Sequence, residues 1–228
     1  MAHSALVLID GPYGMQKYPG DDIRTPQSER LYRGVIARAE RESNHVVIFG
    51  LFESLAWIYE HCIPSPFGLK LRRDVVWHKP DWTGGAASSF APRHELFLHL
   101  AHPEAQFFAD AIRVPYGERA SKGVNKKARR TGGWQPNPLG ARCSDVLTVT
   151  SDRLAEKVEG RTQANKHPCV KPKALLTTIV RACAEFGGIV DEPFVGSENL
   201  KDVCEAEGLI YRGWSNATKY AAGEDYDV

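Results

Sequence analysis

A chain of 228 residues, 43% hydrophobic and 25% charged, carries enough apolar material for one large domain and excludes a low-complexity or disordered polymer. Its formal net charge of +1 excludes a global pull towards nucleic acid or membrane, so such affinity must come from local clusters. Five cysteines, with no CxxC pair among them, give neither a disulfide framework nor a zinc spacing. With no signal-peptide pattern and no apolar run of membrane-spanning length, a cytoplasmic protein is expected.

The first element is Leu6-Val7-Leu8-Ile9, four apolar residues in a row. This predicts a strand buried on both faces, as at the centre of a parallel sheet. It stops at Asp10-Gly11-Pro12-Tyr13. Ligands of open α/β sheets bind beyond the carboxyl ends of strands, which makes this turn a candidate site. The Asp10 carboxylate and a backbone carbonyl suit an exocyclic amine, and the Tyr13 ring suits stacking on a planar base. The alternative is an ordinary surface turn after a core strand.

Residues 15–30 carry Pro19-Gly20-Asp21-Asp22 and Thr25-Pro26 and read as a loop. Residues 27–42 read as an amphipathic helix. Leu31, Val35, Ile36 and Ala39 form one face, and Arg30, Arg33, Arg38 and Arg41 a solvated one. Val46 to Gly50 is a second buried strand. A helix with Leu51, Leu55 and Ile58 follows and ends near Pro64. Arg73 to Pro80 is a third strand, Thr83 to Phe90 a glycine- and serine-rich loop, and Arg93 to Leu100 a fourth strand. Strands alternating with helices predict an α/β sheet. His78, His94 and His99 lack HxH or HExxH spacing and read as structural hydrogen-bonding residues, so no metal is expected.

Residues 104–153 break the pattern and read as an insertion within a single domain spanning 1–228. Phe107 to Val114 is a short helix or strand. Arg119, Lys122, Lys126, Lys127, Arg129 and Arg130 follow with no acid between Lys122 and Arg130, then Thr131-Gly132-Gly133-Trp134. A basic loop with one aromatic suits phosphate contacts. A solvated loop has the same composition, but a long insertion in a compact sheet protein is usually functional. Val146 to Val149 returns to strand-like residues.

His167-Pro168-Cys169-Val170-Lys171-Pro172 opens a helix through Leu175, Leu176, Ile179, Val180 and Cys183, with Pro172 suited to a helix start. Ile189-Val190-Asp191 is a strand. Glu192-Pro193-Phe194-Val195-Gly196-Ser197-Glu198-Asn199 then turns into another helix. A strand, a glycine turn and a helix amino terminus can hold a ligand anion, with Lys171 as added charge. Leu209 to Trp214 is a short strand and Ser215 to Ala222 a terminal helix.

LIDGPYG, RRDVVWHKP followed by RHELFLHL, HPCVKP and DEPFVGSEN, in that order, resemble the DNA amino-methyltransferases of the permuted, β-class arrangement. That family carries a (D/N/S)PP(Y/F/W) turn, a target-recognition insertion, an HPxxKP element and a DPFxGSG turn. The similarity covers Leu6 to about Ala222. It implies a Rossmann-like methyltransferase fold, a mostly parallel sheet flanked by helices, binding S-adenosylmethionine and a base flipped out of DNA. By the resemblance, Asp10, Pro12 and Tyr13 hold and stack the target amine. His167, Lys171, Asp191, Glu192, Phe194, Gly196 and Ser197 border the cofactor. Arg119, Lys122, Lys126, Lys127, Arg129, Arg130 and Trp134 lie in the DNA-facing insertion.

In this family an aspartate at the first turn position more often accompanies adenine N6, and serine cytosine N4, so an adenine N6-methyltransferase of the restriction-modification type is expected, as a homodimer or beside a paralogous subunit. The departures are Gly11 for the first proline, Glu192 for the DPF aspartate, Glu198 for the second glycine, and no acid near Trp214-Ser215, where the ribose-binding carboxylate usually stands. They leave a second reading, a catalytically silent relative that binds nucleic acid or a protein partner.

Overall fold

The computed structural model describes residues 3–12, 24–63, 68–81, 88–117, 136–150 and 170–227. The strands are β1 (Ser4–Ile9), β2 (Ser43–Gly50), β3 (Lys70–His78), β4 (His94–Ala101), β5 (Val146–Thr148), β6 (Ile189–Glu192) and β7 (Ile210–Gly213). The helices are α1 (Pro26–Glu42), α2 (Phe52–Cys62), α3 (Lys173–Cys183), α4 (Asn199–Ala206) and α5 (Ala217–Ala222), with a 3-10 turn at Ala109–Ile112. The strands form one seven-stranded sheet in the order β5-β3-β4-β2-β1-β6-β7.

β1 lies inside the sheet, parallel to β2 on one side and β6 on the other. Successive side chains of a strand point to opposite faces. Leu6 and Leu8 therefore enter the layer under α3 and α4, with Leu175, Ile179 and Leu200. Val7 and Ile9 enter the layer under α1, α2 and α5, with Val35, Ile36, Ile58 and Tyr220. All four are at most 1% exposed, and each such burial is worth roughly 1.5–3 kcal/mol. An unbroken apolar run is what a strand needs when both of its faces are covered.

The alternation of strand and helix is interrupted between β3 and β4, where the sequence reads as a loop. No helix joins them among the described residues, and β4 runs antiparallel to both β3 and β2. An antiparallel pair closes through a loop, whereas a parallel pair needs a long crossover. The consequence for the site is that the first residues of β4 lie at the edge where the other strands end.

α1 starts where Thr25 accepts a hydrogen bond from the Ser28 amide, with Pro26 at the first turn. One arginine of its expected solvated face is placed otherwise. Arg38 is 1% exposed, donates to the carbonyls of Tyr220 and Glu224, and sits 4.4 Å over the Tyr220 ring. α5 and the segment after it pack on α1 and cover a position that a two-sided helix pattern assigns to water. In the 104–153 stretch, paired backbone bonds between Val114 and Ala141 bring the two ends of the intervening segment together.

Candidate active site

The carboxyl edge of the sheet gathers the turn after β1, the start of β4, the residue after β3 and the turn after β6. The register that pairs Val7 with Asp191 sets the turns after β1 and β6 side by side. Lys171, just before α3, reaches over this edge.

Lys171 Nζ lies 2.8 Å from both carboxylate oxygens of Asp10 and 3.8 Å from Glu95 Oε2. Glu95 in turn accepts from Lys79 Nζ at 2.7 Å. Acid and base alternate through the row Asp10, Lys171, Glu95, Lys79. Lys171 is only 5% exposed, and an ammonium so placed persists only with paired carboxylates around it. Its nitrogen also stands 5.0 Å over the Phe49 ring, and its carbonyl accepts from Asn199 Nδ2 at the start of α4. The bonds to Lys171 orient the Asp10 carboxylate. A carboxylate offers about four acceptor sites and can take several donors at once.

The backbone beside Asp10 is held just as closely. Tyr32, from α1, donates to the Pro12 carbonyl at 2.9 Å, and its ring stacks on Phe194 with centroids 5.6 Å apart. A methyl placed on Gly11 would stand 2.4 Å from Tyr32 Oη and 3.2 Å from Phe194 Cε1. Gly11, which departs from the family's proline, is thus the residue that lets Tyr32 and Phe194 close on the turn. Packing supplies the stiffness that a proline ring supplies elsewhere.

The two acids of β6 have different environments. Asp191 is 0% exposed. Its carboxylate receives two bonds from Arg212, at 2.7 and 2.8 Å, and one from Ser4 Oγ at 2.7 Å. Asp191 is therefore closed to a cofactor, contrary to expectation, and ties β1, β6 and β7 together. Glu192, one residue later, points to the other face as strand alternation requires. It accepts from Tyr211 Oη at 2.7 Å. Burial pushes its carboxyl up to about 8; the Asp10 charge adds to the rise, while the Tyr211 bond and Lys171 oppose it. The site thus holds a neutral Glu192 beside an acid at neutral pH, which limits like-charge repulsion.

Folded Glu192 keeps its proton up to about pH 8 while the unfolded group loses it near 4.5. The folded state binds more protons in that window, so stability falls as pH rises through it and is level above it. Glu192→Gln should flatten the dependence and raise stability at about pH 9 by roughly 2–4 kcal/mol relative to the parent. Urea unfolding of both proteins at about pH 5 and about pH 9 reads the effect; parallel pH dependences would contradict it.

Beyond Phe194 the turn opens. Gly196 is exposed, Ser197 is half-buried, and Glu198 is exposed at the start of α4, making no side-chain bond to its amides. At the end of β7, Asp227 accepts from the amide and the hydroxyl of Ser215, at 2.8 and 2.7 Å, and is ion-paired with Lys219. The terminal segment thereby brings an acid to the strand end that lacks one in local sequence. Phe194 offers an aromatic wall and Ser197 a hydroxyl to a ligand with a planar, apolar part and a polar end.

Of the expected site residues, the structure brings Asp10, Pro12, Lys171, Glu192 and Phe194 together, sets Gly196 and Ser197 on the adjoining turn, and turns Asp191 away. Tyr13, His167, Arg119, Lys122, Lys126, Lys127, Arg129, Arg130 and Trp134 lie outside the described residues. Sequence reasoning missed Tyr32, Glu95, Lys79 and Asp227. Tyr32 had a signal: it stands three and four residues before Val35 and Ile36, on their face of α1. Glu95 and Lys79 had none, because their place depends on the direction of β4.

The family model for DNA methylases of the N6/N4 type matches residues 5–221. The type II methyltransferase M1.MboII of Moraxella bovis is 27% identical over 227 residues, covering 94% of this chain and 85% of its own. The solved M1.HpyAVI–SAM complex superposes with a TM-score of 0.56 at 16% identity, over 97% of this chain and 87% of its own. The cytosine-N4-specific PvuII DNA methyltransferase gives 0.57 at 14% identity, over 97% and 77%.

Proposed function

Because the chain belongs to the N6/N4-type DNA methylase family, we propose that it transfers a methyl group from S-adenosylmethionine to the N6 amine of an adenine flipped out of DNA. The observation that carries this reading is the Asp10 carboxylate, held by Lys171 at the carboxyl edge and packed through Gly11 against the turn that bears Phe194. The cofactor, when bound, supplies an electrophilic methyl carbon on a sulfonium.

Asp10 and the Pro12 carbonyl each accept one N–H of the target amine. Two acceptors set apart in space draw the nitrogen from planar towards tetrahedral and leave its lone pair pointing away from them. With a donor bound, its methyl carbon would pass to that lone pair as the carbon–sulfur bond gave way to the new nitrogen–carbon bond, and the amine would release one proton to solvent. Tyr32 holds the Pro12 carbonyl still, and Lys171 holds Asp10 still. Positioning of this kind supplies most of the rate. Phe194, Gly196, Ser197 and Glu192 border the donor, with Asp227 at the ribose end. The family resemblance assigns Tyr13 to stacking on the flipped base, His167 to the donor, and the basic residues between Arg119 and Arg130, with Trp134, to the DNA backbone.

The choice of adenine follows from the aspartate at the head of the turn. Incubating the protein with duplex DNA and labelled S-adenosylmethionine, then digesting to nucleosides for mass spectrometry, tests it. N6-methyladenine is expected. N4-methylcytosine would overturn the choice of base. Absence of any methylated nucleoside across a mixed-sequence DNA would overturn the enzyme and favour the silent relative.

A further inference from the structure

A second cluster of reactive side chains lies at the opposite edge of the sheet. His45 sits in the amino-terminal part of β2, His99 in β4, and Cys183 at the end of α3; the three are buried, at 1%, 7% and 4% exposure. Their ligand atoms all lie within 4.8 Å of one another. We propose that His45 Nδ1, His99 Nε2 and Cys183 Sγ form a transition-metal site that takes Zn²⁺, with a fourth position open to the adjoining cavity.

The geometry argues for it in three ways. First, Zn–N bonds of about 2.0–2.1 Å and a Zn–S bond of about 2.3 Å at tetrahedral angles require N···N of roughly 3.3 Å and N···S of roughly 3.6 Å. His45 Nδ1 and His99 Nε2 are 3.1 Å apart, and His99 Nε2 and Cys183 Sγ 3.8 Å. Second, the outer partner is in place. His45 Nε2 lies 2.8 Å from the Gln106 carbonyl, which can only accept, so Nε2 carries the hydrogen and Nδ1 presents its lone pair inward. Third, there is an entry path. His99 and Cys183 line a cavity of about 470 Å³ whose other walls include Phe97, Phe107, Ile179 and Arg142.

The hydrogen between the two rings belongs to His99 Nε2, since His45 Nδ1 is the acceptor. On binding, that hydrogen moves to His99 Nδ1, and the Cys183 thiol loses its proton to solvent. The balance is one Zn²⁺ in and one proton out, with no change of oxidation state. Thiolate ligation requires that proton to leave, so metal capture weakens as pH falls. The bound ion would tie β2, β4 and α3 at the edge remote from Asp10, so the site does not depend on the methyl-transfer reading.

The test uses the whole chain, stripped with chelator, then loaded with Zn²⁺ or with Co²⁺ as its coloured substitute. One zinc per chain is expected after removal of free metal. The cobalt form should show strong four-coordinate ligand-field bands and a thiolate charge-transfer band. Cys183→Ser should lose the charge-transfer band, and His99→Gln should bind at least tenfold more weakly. A protein with the other four cysteines replaced by serine and Cys183 kept should retain the band, which covers the case in which Cys183→Ser does not fold. Weak six-coordinate cobalt spectra, substoichiometric zinc in the parent, or the same spectrum without Cys183 would each overturn the site.

Discussion

Asp10→Ala should lower methyl transfer by about 10³-fold with the fold retained, because it removes an acceptor that acts on the amine where charge develops. Asp10 lies in a turn, outside the apolar layers. Its loss removes no packing, but it leaves Lys171 with one fewer carboxylate. The remaining partner, Glu95 at 3.8 Å, keeps that ammonium from being stranded. S-adenosylmethionine affinity measured by calorimetry should change little, since Asp10 is assigned to the amine and not to the donor. The drop therefore belongs in kcat. Asp10→Asn separates charge from shape: it keeps the size of the side chain, weakens the hold of Lys171 and trades one acceptor oxygen for a donor, so it too should be severely impaired. Parental turnover by Asp10→Ala would end the role assigned to the turn.

Arg212→Met should destabilise the fold by roughly 3–5 kcal/mol, because it removes the guanidinium that pairs with Asp191 in the interior. For a chain of this size that is a fall in Tm on the order of 10 °C. Asp191 is 0% exposed, and Arg212 and Ser4 supply its hydrogen bonds. Ser4 alone does not neutralise it. The double variant Asp191→Leu with Arg212→Met removes both charges and should recover much of the loss, as buried pairs replaced by apolar residues often do. Thermal unfolding of the three proteins decides the matter. If the double variant is as unstable as Arg212→Met, the pair is not the source. If S-adenosylmethionine affinity is retained in the double variant, Asp191 is a frame residue and the donor is bounded by Glu192 and Phe194 instead.

The order and type of nearly every described element were determined by local sequence. Apolar runs of strand length, Thr25-Pro26 at one helix start, Pro172 at another and the glycine turn after Phe186 each act on their own few residues, so their effect is readable in place. The candidate turn Asp10-Gly11-Pro12 was legible for the same reason: it follows a strand with no polar residue to continue it. Three-dimensional packing decided which residues meet. Lys171 and Asp10 are 161 positions apart, and their pairing needs α3 to begin above the end of β1. The antiparallel course of β4 delivered Glu95 to the site, and no spacing encodes strand direction. Of two adjacent acids, strand alternation and one buried arginine sent Asp191 into the frame and left Glu192 at the site. His45, His99 and Cys183 follow the same rule: three segments supply one ligand each, so no interval in the chain marks them. Local chain chemistry sets what a segment becomes; long-range burial sets which charges must find each other, because an ionised group in the interior persists only beside its partner.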